Sequence, residues 1–186
     1  DVMFGGGRQK FDTDKDTERD GTGCPHYTKD LIKTAESGGY VVVRTAVEME
    51  NAAVHGKKVL GLFTPGAMTP VYRRHPETTE PTLAQMTGAA LHVLEKNPEG
   101  FFLLVEGSQV DWANHGRNFE YQIREMLAFD DAVGLVLAWI NDPYHPRRKE
   151  NTLLIVAPDH ETGGFAINGP MAGPYPARKL SRAGDL

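Results

Sequence analysis

The chain has 186 residues, 40% of them hydrophobic and 24% charged, which is ordinary globular usage and leaves no room for a disordered, collagen-like or disulfide-scaffold reading. Twenty Lys and Arg stand against 25 Asp and Glu, a formal charge of -5 with no basic stripe, so a nucleic-acid footprint is not supported. The longest apolar runs, Phe101–Val105 and Leu153–Ala157, fall far short of the ~20 residues that cross a bilayer, and the lone Cys24 excludes an internal disulfide and a Cys-rich zinc site.

In chain order, Val2–Phe4 is a short apolar run closed by Gly5, Gly6 and Gly7, and the missing initiator Met and signal core suggest a start within a larger protein. A charged stretch from Asp12 to Asp20 precedes a predicted helix over 28–37, which Gly38 and Gly39 stop. Tyr40–Val43 is β-branched and predicts a strand. A short helix near Ala46–Val54 leads to a second strand, Val59–Phe63, and then a long Pro/Gly-rich loop through Pro81, expected to be functional or peripheral. Leu83, Met86, Ala90 and Leu94 recur at helical spacing, predicting a helix over 82–96 that Asn97, Pro98 and Gly100 terminate and whose apolar face packs on a sheet.

Phe101–Val105 has no polar alternation and is expected to be a central parallel strand covered on both faces. A long helix over about 118–140 follows, ended by Asn141, Asp142 and Pro143, and Thr152–Ala157 predicts a second buried strand. Gly169–Leu186 reads as a loop-like tail, so both ends are expected to be cut. Strands alternating with helices predict an α/β fold: a mostly parallel central sheet, right-handed crossovers and helices on both faces. Dinucleotide binding through Gly5, Gly6 and Gly7 lacks the G-x-G-x-x-G spacing.

In open α/β sheets, ligands bind beyond the carboxyl ends of strands, and both apolar runs end in ionisable residues. Glu106 closes one, with Asp111 and His115 within nine residues; Asp159 and His160 close the other. Zinc accepts imidazole nitrogen and carboxylate oxygen, whereas magnesium prefers oxygen alone, so these residue types suit a mixed metal site. Asp111 and His115 share one side of a helix if a turn starts at Trp112. Asp159 and His160 converge if the backbone turns at Pro158 and at Gly163 and Gly164. Each group also has a plainer description: an exposed loop acid with a capping imidazole for the first pair, a helix-start charge for Glu106.

These residues carry a family resemblance. Phe101 to Gly107 followed by Asp111 and His115, then Phe129-Asp130-Asp131-Ala132-Val133, then Asp159-His160-Glu161-Thr162-Gly163-Gly164, resemble alkaline phosphatase in order and spacing. Weaker support comes from Gly5 to Arg8, from Gly61-Leu62-Phe63 and from Pro81 to Thr87. The resemblance implies a partial alkaline-phosphatase-like domain over 1–186, from the middle and later part of such an enzyme and incomplete at both ends.

What the resemblance implies can be placed residue by residue. Glu106 becomes a magnesium ligand, Asp111 and His115 hold one zinc, Asp159 and His160 hold a second, and Trp112 neighbours the bound phosphate. It implies a phosphomonoester hydrolase with two zinc ions, one magnesium and a phosphoserine intermediate, acting on small phosphomonoesters and releasing inorganic phosphate. A homodimer, located in the periplasm or outside the cell, would be in keeping with the family. No D-S-A-type nucleophile segment occurs in the sequence. By the same resemblance, the serine, the phosphate-gripping arginine, an early zinc–magnesium aspartate, a further early magnesium ligand and a late histidine lie elsewhere, so the chain alone is expected to be inactive. His26, His55, His75, His92 and His145 match none of these motifs and read as structural or exposed. Two other readings stay open: a non-catalytic metal-binding or interaction domain of the same architecture, and another metal-dependent phosphatase or sulfatase.

Overall fold

The structure, a computed structural model, describes residues 1–11 and 30–164. Cys24, His26, the Asp12–Asp20 stretch and the 165–186 tail lie outside the described residues.

Three parallel strands form the sheet: β1 (Val2–Gly5), β2 (Tyr40–Val43) and β3 (Lys58–Leu62), in the order β1-β3-β2. Val2 lies opposite Val59 and Gly5 opposite Leu62 on one side of β3, while Tyr40 pairs with Lys58 and Val43 with Gly61 on the other. As the middle strand, β3 buries Val59, Leu60 and Leu62 without alternation. Gly61 is required by crowding rather than by its backbone angle: a Cβ there would sit 2.4 Å from the Phe63 ring.

Side-chain caps start most of the helices. Asp30 accepts from the Lys33 amide to begin α1 (Leu31–Ser37), and Thr45 accepts from the Glu48 amide to begin α2 (Ala46–Val54). A reciprocal capping box between Thr82 and Gln85 begins α3 (Leu83–Leu94). The shorter α4 (Gln109–His115) follows Ser108, which makes no side-chain cap bond. Asn118 caps α5 (Phe119–Ile140), and α6 (Arg147–Asn151) is a single turn beyond it. Val43, Met49, Ala52, Ala53, Val59, Phe63 and Ala89 make the central core between the sheet, α2 and α3. The α3 helix packs on β1 as its apolar face predicts, but also on α5, which in turn carries α4.

The 64–81 loop is fastened rather than loose. Glu80 accepts from the Thr69 amide and hydroxyl, Arg74 donates to the Thr69 and Pro81 carbonyls, and Glu125 of α5 accepts from the Val71 amide.

Two expectations fail. Neither Phe101–Val105 nor Thr152–Ala157 is a sheet strand, and neither is covered on both faces: Leu103, Val105 and Leu154 are half-buried, but Phe102 is 86% exposed, Leu104 77%, Leu153 83% and Ile155 75%. A strand exists only through ladder bonds to a neighbour, and among the described residues neither segment has one. The apolar composition therefore records a need for cover that this part of the fold does not meet.

Candidate metal centre

The site is assembled where those two segments end. Phe101–Gly107 delivers the chain to α4, whose single face carries Asp111 and His115 one turn apart, Oδ2 to Nε2 3.5 Å. The helix starts at Gln109 rather than Trp112, so the predicted turn is there with an earlier start. Buried Gln109 donates to the Met68 carbonyl and accepts from the Tyr121 hydroxyl, pinning the base of α4 to the 64–81 loop and to α5. Desolvation raises the Tyr121 pKa, which keeps that hydroxyl a donor.

After Pro158 the second segment turns back onto α4. Gly163, at φ 76°, sits so close that a Cβ would lie 2.3 Å from the Asn114 carbonyl oxygen; only glycine satisfies both the angle and the approach. Asp159 Oδ1 accepts from the His160 amide at 3.1 Å, while Asp159 Oδ2 lies 3.3 Å from His160 Nε2. Thr162 joins the two groups, its hydroxyl donating to Asp111 Oδ1 at 2.7 Å and lying 2.9 Å from His160 Nδ1.

The structure thus brings Asp111, His115, Asp159 and His160 together through Thr162. Glu106 is exposed and has no hydrogen bond or ion pair among the described residues, and Trp112 is half-exposed on α4. The remaining described histidines behave as expected: His55 bonds the Asn51 carbonyl, His145 pairs with Asp142, His92 lies near Glu95, and His75 is exposed. Spacing did not reveal Thr162 or Gln109; the first acts across 51 residues, and the only local hint was a hydroxyl placed between His160 and a Gly-Gly turn.

The donor chemistry can be tested against zinc. Ligand bonds of about 2.0–2.1 Å in a tetrahedron place neighbouring donors about 3.3 Å apart. The two Oδ2–Nε2 separations, 3.5 and 3.3 Å, match that edge, and in both aspartates Oδ1 is already engaged while Oδ2 faces the imidazole. Each pair supplies two donors, and no group of three or more His, Cys, Asp or Glu gathers around one point among the described residues. Beside them, Asn114 Oδ1 is buried without a hydrogen-bond partner among the described residues.

A parallel sheet with helices and two Asp/His pairs defines an α/β fold with a candidate ligand set, and comparison with known proteins narrows the class. Residues 1–183 match the alkaline phosphatase family, and the chain belongs to it. It is 33% identical over 167 residues to alkaline phosphatase 3 of Bacillus subtilis, an alignment covering 90% of the chain and 31% of that relative. The structure of Thermus thermophilus alkaline phosphatase superposes with a TM-score of 0.63 at 32% identity, over 76% of this chain and 28% of that one. A variant of the alkaline phosphatase from the Antarctic bacterium TAB5, with Mg bound in its M3 site, superposes with a TM-score of 0.59 at 29% identity, over 75% and 36% of the two chains. The chain spans about a third of the length of the curated relatives it matches.

Proposed function

We propose that the chain supplies part of the metal centre of an alkaline phosphatase, a phosphomonoester hydrolase using two zinc ions, one magnesium and a phosphoserine intermediate. The observation that carries this reading is the matched geometry of the two Asp/His pairs, each with the donor separation of a zinc site and both tied to one hydroxyl. Family membership and the magnesium in the TAB5 relative support it.

In this reading Asp111 and His115 would hold one zinc, Asp159 and His160 would hold the other, and Glu106 would offer oxygen to magnesium. Cations held there would supply charge stabilisation for the entering and leaving oxygens of an in-line displacement at phosphorus. The chain's own contribution is orientation: Thr162 and the His160 amide occupy the two Oδ1 atoms, so each carboxylate presents a single oxygen. Gly163 holds the second pair against α4, and Trp112 flanks the phosphate position. The serine nucleophile, the phosphate-gripping arginine and the remaining ligands come from elsewhere in a longer protein, acting on small phosphomonoesters as a homodimer in the periplasm or outside the cell. No helix among the described residues is long and apolar enough to cross a membrane.

Having only two donors per pair also favours a second reading, a metal-binding or interaction domain without catalysis. Zinc titration and phosphomonoesterase assay of the 186-residue chain test both. The expected result is weak zinc binding, lost in the Asp111→Ala/Asp159→Ala double variant, and no turnover of p-nitrophenyl phosphate with zinc and magnesium. Zinc-dependent turnover by this chain would show that the nucleophile has been misplaced. Unchanged zinc binding by the double variant would remove these residues from the ligand set. Appearance of turnover when the chain is joined to upstream sequence carrying a serine nucleophile separates the enzyme from the binding module.

A further inference from the structure

We infer that Thr162 is a positioning residue that couples the two Asp/His pairs through its single hydroxyl proton; the inference rests on reading those pairs as metal ligands.

Proton bookkeeping gives the hydroxyl its direction. His160 Nδ1 lies 3.2 Å from the Glu161 carbonyl oxygen, which can only accept, so Nδ1 carries a proton. The Thr162 oxygen, 2.9 Å from the same nitrogen, therefore accepts from Nδ1–H and is free to give its own proton to Asp111 Oδ1 at 2.7 Å. The result is a directed chain from His160 Nδ1–H through Thr162 O–H to the Asp111 carboxylate.

Two consequences follow at opposite ends. On His160 the proton held on Nδ1 makes Nε2, which faces Asp159 Oδ2 at 3.3 Å, the ring atom that a cation between the two would take; without a cation the carboxylate accepts from Nε2–H there. On Asp111 the bond to Oδ1 fixes the carboxylate plane and leaves Oδ2 toward His115 Nε2 at 3.5 Å. One side chain thus selects the presented atom in both pairs, although they come from segments far apart in the chain. Hydrogen bonds in series polarise one another, so charge drawn from Asp111 is felt at His160. Of the residues near the site, Thr162 alone bonds to members of both pairs among the described residues. Its neighbour Gly163, locked against Asn114, holds the hydroxyl in place.

The test is a double-mutant cycle on the metal-free 186-residue chain, read by the 15N resonances of the His160 ring at pH 8. Wild type is expected to show His160 Nδ1 protonated. Asp111→Ala is expected to shift that ring, and the same change made in a Thr162→Val background to leave it where Thr162→Val alone puts it. Thr162→Ser keeps the hydroxyl and is expected to restore the wild-type response. Equal Asp111→Ala shifts with and without the hydroxyl would overturn the coupling, as would a wild-type His160 whose Nδ1 carries no proton.

Zinc binding is the second readout. Loss of an orienting partner typically weakens metal affinity by about 10- to 100-fold, and Thr162→Val is expected to do so at both pairs while Thr162→Ser does not. A wild-type chain that binds zinc no better than Thr162→Val overturns the positioning role alone. A wild-type chain that binds no zinc overturns the metal reading, and the ring resonances then still report whether the three groups are coupled.

Discussion

Glu125 illustrates what a single partly buried carboxylate does to this fold. It lies on α5 with its oxygen accepting the Val71 amide at 2.7 Å, and its pKa is raised chiefly by desolvation, with that hydrogen bond and Arg74 pulling the other way. A carboxyl whose folded value is raised contributes stability that is fully present below its ordinary value of 4.5 and is lost as pH rises through the raised folded value. At pH 8 the charged form is therefore the less favoured occupant of the site. Glu125→Gln keeps an acceptor oxygen for Val71 and removes the charge. It is expected to stabilise the chain at pH 8 by about 0.5 kcal/mol, small because the side chain is half-buried and solvent screens it, and to lose that advantage near pH 4. Urea midpoints at the two pH values check this. A variant less stable than wild type at both would mean that the carboxylate's hydrogen bond outweighs its desolvation.

Between elements, the joint that closes the far end of the α3–α5 pair is built on Arg148. Its guanidinium lies over the Trp139 ring at 4.4 Å, donates to Asp142 at 3.1 Å and pairs with Glu95, which also accepts from the Trp139 indole at 3.2 Å. Three helices, α3, α5 and α6, meet at one planar cation with its side chain mostly buried. Truncation removes the guanidinium that Glu95 and Asp142 share. Arg148→Ala is accordingly expected to cost about 2–3 kcal/mol, and Arg148→Lys to recover only part of it, because an ammonium lacks the fork and the flat face. Chemical denaturation measures the loss, and hydrogen exchange is expected to rise first in 141–151. If lysine recovers all of it, the charge matters here and the planar geometry does not.

The same scale shows what could be read from the sequence. Tyr40–Val43 and Ala46–Val54 were legible to the residue, and the starts near 82 and 118 to within one, because β-branched runs and helical spacing are local signals. The start of α4 at Gln109 lies three residues before the turn at Trp112 that the Asp111/His115 pairing assumes. Asp111 and His115 were legible as a pair from their spacing alone. Asp159 and His160 needed a turn that Pro158, Gly163 and Gly164 only suggested. Phe101–Val105 and Thr152–Ala157 misled for a different reason: composition reports that a segment is to be buried, while pairing depends on a second segment that no local pattern contains. Thr162 was hidden for the same reason, as its role depends on a helix 51 residues away.

At the scale of the whole molecule, those unpaired segments set how the 186-residue chain behaves in solution. Phe101–Val105 and Thr152–Ala157 present exposed Phe102, Leu104, Leu153, Ile155 and Val156, together with backbone donors and acceptors that find no ladder among the described residues. Apolar side chains beside open backbone groups form a template for pairing with another strand, and natural edges are usually guarded by Lys, Pro or a bulge. Neither segment holds any of these between its ends. Burying one large apolar side chain is worth about 1.5–3 kcal/mol, so pairing even two or three across copies competes with the entropy of association. The chain is therefore expected to sediment as concentration-dependent oligomers and to bind a hydrophobic dye. Replacing Phe102 and Leu153 by Thr and Leu104 and Ile155 by Lys is expected to return it to a monomer, with the circular-dichroism signal of α3 and α5 intact. Sedimentation velocity across the micromolar range decides the matter: a wild-type chain that stays monomeric there would mean that the two segments cover each other in solution.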